Sequence, residues 1–180
     1  MVKIATWNIN SVKARLPVLV RWLKEFSPDI VLLQELKCTT EAFPTLEIED
    51  EGYNVAANGQ KTYNGVAILS KSPIDIEITQ LPGNDNDIQA RYIEGYTQGV
   101  TVASIYLPNG NPVDTEKYKY KINWLKKFIN NIKKRLIKNS NLLIAGDFNI
   151  IPTEIDVHDS NRYENDALGR LEIRKKYREL

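Results

Sequence analysis

Three apolar segments of the chain close on small polar side chains. The first delivers Asn8 and Asn10, the second Gln34 and Glu35, and the third Asp147 and Asn149. Asn8 and Asn10 stand two residues apart, as do Asp147 and Asn149, and in extended chain each such pair points to one side. Carboxylate and amide oxygens brought together form a hard, all-oxygen set that suits Mg²⁺ or Mn²⁺ far better than zinc. A divalent metal there would neutralise charge developing on a phosphoryl oxygen and help generate a hydroxide. In that chemistry Glu35 is the natural metal ligand, Asp147 orients or deprotonates the attacking water, and Asn149 holds a phosphate oxygen or the carboxylate. Strand-end Asp and Asn also simply cap turns, so taken singly these residues leave both readings open.

The rest of the inventory removes alternatives. The 180 residues contain one cysteine, Cys38, and one histidine, His158. An intrachain disulfide framework, a multi-cysteine zinc site and a site built on several histidines are therefore excluded. His158 lies in a polar stretch, Val157-His-Asp-Ser-Asn161, and reads as a surface or turn residue. Tyr106 ends a strand that runs into Pro108-Asn109-Gly110. Its hydroxyl could donate to a phosphate or stabilise a leaving oxygen, while Pro-Asn-Gly is also simply a good turn. The segment 117–138 holds nine Lys/Arg and no Asp/Glu, which fits a phosphate-following helix or an ordinary solvated face.

The elements that must position these groups follow from hydrophobic periodicity. Residues 2–9 read as a strand, and Val12, Leu16, Leu19, Val20, Leu23 and Phe26 fall at helical spacing until Ser27-Pro28-Asp29 ends the run. Ile30-Val-Leu-Leu33 is a short apolar strand of the kind covered on both faces in α/β proteins. Residues 41–51, with five acids and no base, form a solvated loop or short helix. Further strands are expected at 53–57, 65–70, 74–79, 91–96 and 100–107, with Gln98-Gly99 as a hairpin turn. The spacing predicts a long helix over 115–138 with Tyr118, Ile122, Leu125, Ile129, Ile132 and Leu136 along one side, then a buried strand Leu142–Ala145 and a final helix over 171–180.

Composition is that of one globular domain, 42% hydrophobic and 26% charged with a net charge of +1, which names no partner. The N-terminus lacks the features of a signal peptide. Apolar runs such as Ile30–Leu33 and Leu142–Ala145 are four residues long, against about 20 for a membrane span. The expectation is a soluble cytoplasmic protein without membrane contact, its Cys38 a free thiol.

Taken in order, the segments resemble the exodeoxyribonuclease III family of abasic-site endonucleases. The matching pieces are Ile4-Ala-Thr-Trp-Asn-Ile-Asn-Ser-Val-Lys-Ala-Arg15, Pro28-Asp-Ile-Val-Leu-Leu-Gln-Glu35, and Tyr53 to Ser70 with its core Asn64-Gly-Val-Ala-Ile-Leu69. Gln89-Ala-Arg-Tyr92, Tyr106-Leu-Pro-Asn-Gly110 and Leu143-Ile-Ala-Gly-Asp-Phe-Asn149 complete the set. The resemblance implies a DNase I-like four-layer α/β sandwich, two mixed sheets flanked by helices. It also implies a Mg²⁺-dependent phosphodiesterase (Mn²⁺ as substitute) that cuts double-stranded DNA at abasic sites and trims 3′ ends. By matching motif, Glu35 is the metal ligand and Asn8 supports the metal and phosphate, with Asn10 beside them. Tyr106 contacts the scissile phosphate, Asp147 activates the water, Asn149 positions it, and Arg91 and Asn109 lie near the DNA or support the site.

Two departures stand out. Leu36 occupies a place where the family usually has Thr, and the family's C-terminal Asp-His pair has no counterpart, since no Ser-Asp-His occurs in the chain. The expectation is a single domain over 1–180, truncated at its C-terminus, its hydrolytic activity impaired by the missing Asp-His pair, and monomeric once completed. A non-catalytic fragment or split-gene product that binds DNA or needs a separate C-terminal piece is the alternative. A phosphoesterase of the same fold acting on a non-DNA phosphodiester is another.

Overall fold

Ile30-Val-Leu-Leu33 has no polar side, and the computed structural model shows why: the strand β2 (Ile30–Gln34) is buried along its whole length. Ile30 and Leu32 enter one apolar cluster with Ile68, Ile93 and Val102, while Val31 and Leu33 enter another with Val12, Leu19 and Leu23. Successive side chains of a strand face opposite ways, so a strand between two layers must be apolar on both. The structure describes residues 1–137, 141–163 and 165–180. It divides into two compact units, the first formed by residues 1–81, 86–106 and 141–147.

In this first unit one sheet has the order β1-β2-β4-β3, with β1 (Ile4–Asn8), β3 (Asn54–Asn58) and β4 (Val66–Ser70). β1 and β2 are parallel and the other pairs antiparallel. The second sheet joins β5 (Asp75–Ile78), β6 (Tyr92–Thr97), β7 (Val100–Tyr106) and β8 (Leu142–Asp147) in that order, with only β7 and β8 parallel. The Ile30 cluster packs between the sheets, and the helix α1 (Val12–Phe26) covers the other face of the first. α1 stops where Ser27 turns left-handed at φ +43° and its N–H bonds Leu23 O at 2.9 Å, one residue before Pro28. The acidic stretch forms a 3₁₀ turn, Thr40–Ala42, and the short helix α2 (Thr45–Glu49). Gln98 and Gly99, at φ +53° and +81°, make the two-residue turn between β6 and β7, whose handedness matches the strand twist.

Two readings of the sequence need correction here. Leu142–Ala145 is not a buried strand: β8 is half-buried along its length because it lies at the edge of its sheet. Gln34 ends β2 but does not serve a crevice. It is 1% exposed, on the Ile30–Leu32 face, where its Nε2 donates to Leu32 O (2.9 Å), Thr6 Oγ1 (3.1 Å) and Ser104 Oγ (3.1 Å). Strand alternation carries its side chain inward and that of Glu35 elsewhere.

The second unit comprises residues 82–85, 107–137 and the described residues of 148–180. Its long helix α3 (Glu116–Ile137) buries Tyr118, Lys121, Trp124, Leu125, Phe128 and Ile129. Leu136, expected on the buried stripe, is 65% exposed, and Ile122 and Ile132 are half-buried. The buried stripe runs one residue to the side of the expected one, because aromatic rings at 124 and 128 and the stem of Lys121 take the inner positions. Lys138 lies outside the described residues. Trp124 stacks on Phe128 (5.5 Å), which meets Phe148 (6.2 Å), which meets Tyr177 (5.8 Å) on the final helix α4 (Leu171–Tyr177). His158 is exposed in a bend between two 3₁₀ turns, as expected of a turn residue. No described helix is long and apolar enough to cross a membrane.

Candidate active site

The two parallel strand pairs end together in register: Asn8 opposite Gln34, and Tyr106 opposite Asp147. Parallel strands deliver their C-terminal residues to one edge, where open α/β sheets place their ligands. Within the first unit these ends meet. Asn8 Nδ2 donates to Glu35 Oε1 at 2.9 Å and to Asp147 Oδ2 at 2.7 Å, so one amide group holds both carboxylates. Tyr106 OH donates to the same Glu35 Oε1 at 2.9 Å, and Lys37 Nζ lies 3.0 Å from Glu35 Oε2. Asn8, Glu35, Tyr106 and Asp147, drawn from separate segments of the sequence, form one hydrogen-bonded cluster.

The backbone around the cluster is unusual. Glu35, Lys37 and Asn10 all have left-handed conformations, at φ +57°, +55° and +46°. Left-handed non-glycine residues are uncommon and gather at functional sites. The turn at Glu35 is held by its carbonyl, which accepts from Ser11 N at 2.7 Å, and by Lys37 N, which donates to Asn64 O at 3.0 Å. It reverses the chain straight after β2, so Glu35 does not continue the strand's alternation.

These conformations also overturn the expectation that Asn8 and Asn10, and Asp147 and Asn149, share a side in extended chain. β1 ends at Asn8 and β8 at Asp147, and both partners beyond have φ +46°. Asn10 donates its main-chain N–H to Asn8 Oδ1 at 3.1 Å, and its exposed carboxamide oxygen accepts from Lys37 Nζ. The first of these bonds holds the Asn8 oxygen while its amide nitrogen faces the two acids.

Arg91 is a support to Tyr106. Its Nε donates to Gln89 Oε1 (2.8 Å), its Nη1 to Tyr106 O (3.1 Å), and its guanidinium stands 4.9 Å over the Tyr106 ring. Leu36, the departure from Thr, is fully buried in the cluster beneath α1, so the substitution is accommodated by packing.

Electrostatics follow from these contacts. Burial pushes the Glu35 carboxyl up, but hydrogen bonds from Asn8, Lys37 and Tyr106, with the charge of Lys37, outweigh it and leave the group below its ordinary value. Burial, then the hydrogen bond to Glu35 and its charge, push the Tyr106 phenol well above its ordinary value, so it remains a donor.

In the second unit Asn109 and Asn149 pair with each other. Asn109 Nδ2 donates to Asn149 Oδ1 at 3.3 Å, and Asn149 Nδ2 donates to Leu107 O at 2.8 Å. Lys121 Nζ donates to both main-chain carbonyls, Asn109 O at 2.9 Å and Asn149 O at 2.6 Å. Lys37 and Lys121 carry no assignment from sequence. A signal for Lys121 was available, since it stands three before Trp124, four before Leu125 and three after Tyr118, on the buried side.

Residues 5–177 match the Endonuclease/Exonuclease/phosphatase family. The chain belongs to that family. Among its relatives, Exodeoxyribonuclease III of Haemophilus influenzae is 33% identical over 167 residues, covering 89% of this chain and 62% of its own length. The chain thus spans about six-tenths of that relative. Of solved structures, the Neisseria 3′ phosphatase NExo bound to a product DNA hairpin has a TM-score of 0.94 at 35% identity, covering all of this chain and 70% of its own. An AP endonuclease from Archaeoglobus fulgidus gives 0.92 at 35% identity, over 99% and 69% of the two chains. The expected fold class, the DNase I-like sandwich of two mixed sheets, is the one this member shares with those structures.

Proposed function

We propose that the chain carries the catalytic cluster of an exodeoxyribonuclease III-type DNA repair nuclease, which hydrolyses DNA phosphodiesters at abasic sites and 3′ ends with a divalent metal. The observation that carries this reading is the Asn8 amide joining Glu35 to Asp147, with the Tyr106 hydroxyl on Glu35. The likeness to an exodeoxyribonuclease, an AP endonuclease and a DNA-bound 3′ phosphatase supports the substrate class.

The donor set fits an oxygen-liganded metal. No group of three His, Cys, Asp or Glu able to hold a metal occurs among the described residues, but Mg²⁺ is usually held by one or two carboxylates, with waters and substrate phosphate completing its shell. Glu35 would be the ligand. Asn8 presents its nitrogen, not its oxygen, to the acids and acts as their holder. A metal held there would supply charge neutralisation on the phosphoryl oxygens.

Asp147 takes the proton of the attacking water, and Asn8 keeps that carboxylate oriented. Tyr106, kept protonated, transfers its hydrogen bond from Glu35 to a phosphate oxygen as substrate enters. Arg91 keeps the Tyr106 ring in place. In this reading Asn149 positions the water, and Asn109, paired with it, lies near the DNA.

The substrate is tested by offering the purified chain, in Mg²⁺ or EDTA, a duplex with one abasic site and a soluble inositol phosphate. Metal-dependent cutting of the duplex alone is expected. Turnover of the inositol phosphate alone would move the protein to another branch of the family.

A further inference from the structure

Lys121 on α3 is fully buried, at 0% exposure. An ammonium withdrawn from water requires protein acceptors in place of its hydration. Lys121 finds them in two stretches of chain, one after β7 and one after β8: Asn109 O at 2.9 Å and Asn149 O at 2.6 Å. Both carbonyls belong to residues that the proposed function places at the water and beside the DNA, and their side-chain amides meet at 3.3 Å. The loop is wrapped closely on the lysine stem. Gly110 has φ +88°, and a Cβ there would lie 2.6 Å from Lys121 Cδ. Asn149 itself is held left-handed at φ +46°.

We propose that Lys121 is a positioning residue: its buried ammonium ties the backbones of Asn109 and Asn149 together and thereby sets where their amides can meet the substrate. This rests on the nuclease reading above. Lysine suits the task because one point charge on a long stem offers three rotatable donors, whereas the planar fork of arginine would not fit two converging carbonyls on a crowded stem.

Steady-state incision of an abasic duplex in Mg²⁺ is measured for wild type, Lys121→Met, Asn109→Ala/Asn149→Ala and the triple variant, each checked for folding by circular dichroism. Lys121→Met is expected to lower kcat by about 10²-fold, the cost of a small misplacement, with KM within about threefold of wild type. In the double-alanine background the same substitution should cost nothing further, since its effect runs through those amides. An equal loss in both backgrounds, or an unchanged kcat for Lys121→Met, overturns the proposal. If Lys121→Met does not fold, Gly110→Ala crowds the lysine stem without removing its charge, and the same pair of results decides. Absence of incision by wild type would overturn the nuclease reading instead. The tie is then judged by ¹⁵N NMR of the Asn109 and Asn149 side-chain amides: resonances that move in Lys121→Met support it, and unmoved ones overturn it.

Discussion

At the residue scale, the cluster depends on one amide serving two acids. Two carboxylates that share a donor are held close without a positive charge between them, and charge-assisted bonds of 2.7 and 2.9 Å are among the stronger kinds. Removing Asn8 leaves Glu35 and Asp147 without their common partner. Asn8→Ala is therefore expected to lower kcat by about 10²–10³-fold, the usual cost of one preorganised donor. A loss under about threefold would show that the bridge is incidental.

The charge state of Glu35 gives a second prediction. A carboxyl held below its unfolded value adds stability above that unfolded value and yields it as pH falls through the folded one. In EDTA, the unfolding free energy of wild type minus that of Glu35→Gln should be constant above about pH 6 and fall below about pH 4. Urea titrations across that range check it, and a difference that rises toward acid contradicts the bonding described.

At the element scale, the parts of the fold written in burial pattern were legible in the sequence. Ile30–Leu33 is apolar on both faces because β2 lies between a second sheet and α1, and α1 itself follows its stripe to Ser27. Legibility failed where backbone geometry or a polar side chain overrode pattern. Asn10 and Asn149 leave the strand conformation, which the spacing of two could not reveal. Gln34, polar and at a strand end, turns inward because its amide is satisfied by Thr6, Ser104 and Leu32. Lys121 takes a place in the core of the basic helix because two carbonyls meet it. That Glu35, Tyr106 and Asp147 come together was legible from their places at strand ends, but the Asn8 amide joining two of them was not, since hydrogen bonding between distant segments leaves no local trace.

The corrected stripe of α3 is testable. Leu125→Ala, at 0% exposure, should cost about 2–5 kcal/mol in urea unfolding. Leu136→Ala, at 65% exposure, should fall within about 0.5 kcal/mol of wild type. Equal costs at the two positions would restore the stripe read from the sequence.

At the scale of the whole molecule, the chain distributes its chemistry over two units. The acid cluster belongs to the first, and the paired asparagines with Lys121 belong to the second. The family match runs through both, over residues 5–177. The chain passes from the first unit to the second directly after Tyr106 and again directly after Asp147. Each of these two residues is therefore followed, within three residues, by one of the paired asparagines. We hold that the proposed nuclease reading applies to this chain of 180 residues, which matches 62% of the length of its Haemophilus relative.

The most direct test of that claim is incision of a duplex carrying one abasic site, measured for wild type, Glu35→Ala and Asp147→Ala in Mg²⁺ and in EDTA, with folding verified by circular dichroism. The account predicts cutting by wild type in Mg²⁺, none in EDTA, and a loss of at least about 10²-fold in each variant. A folded wild-type chain that does not cut, or variants that cut as well as wild type, would contradict it.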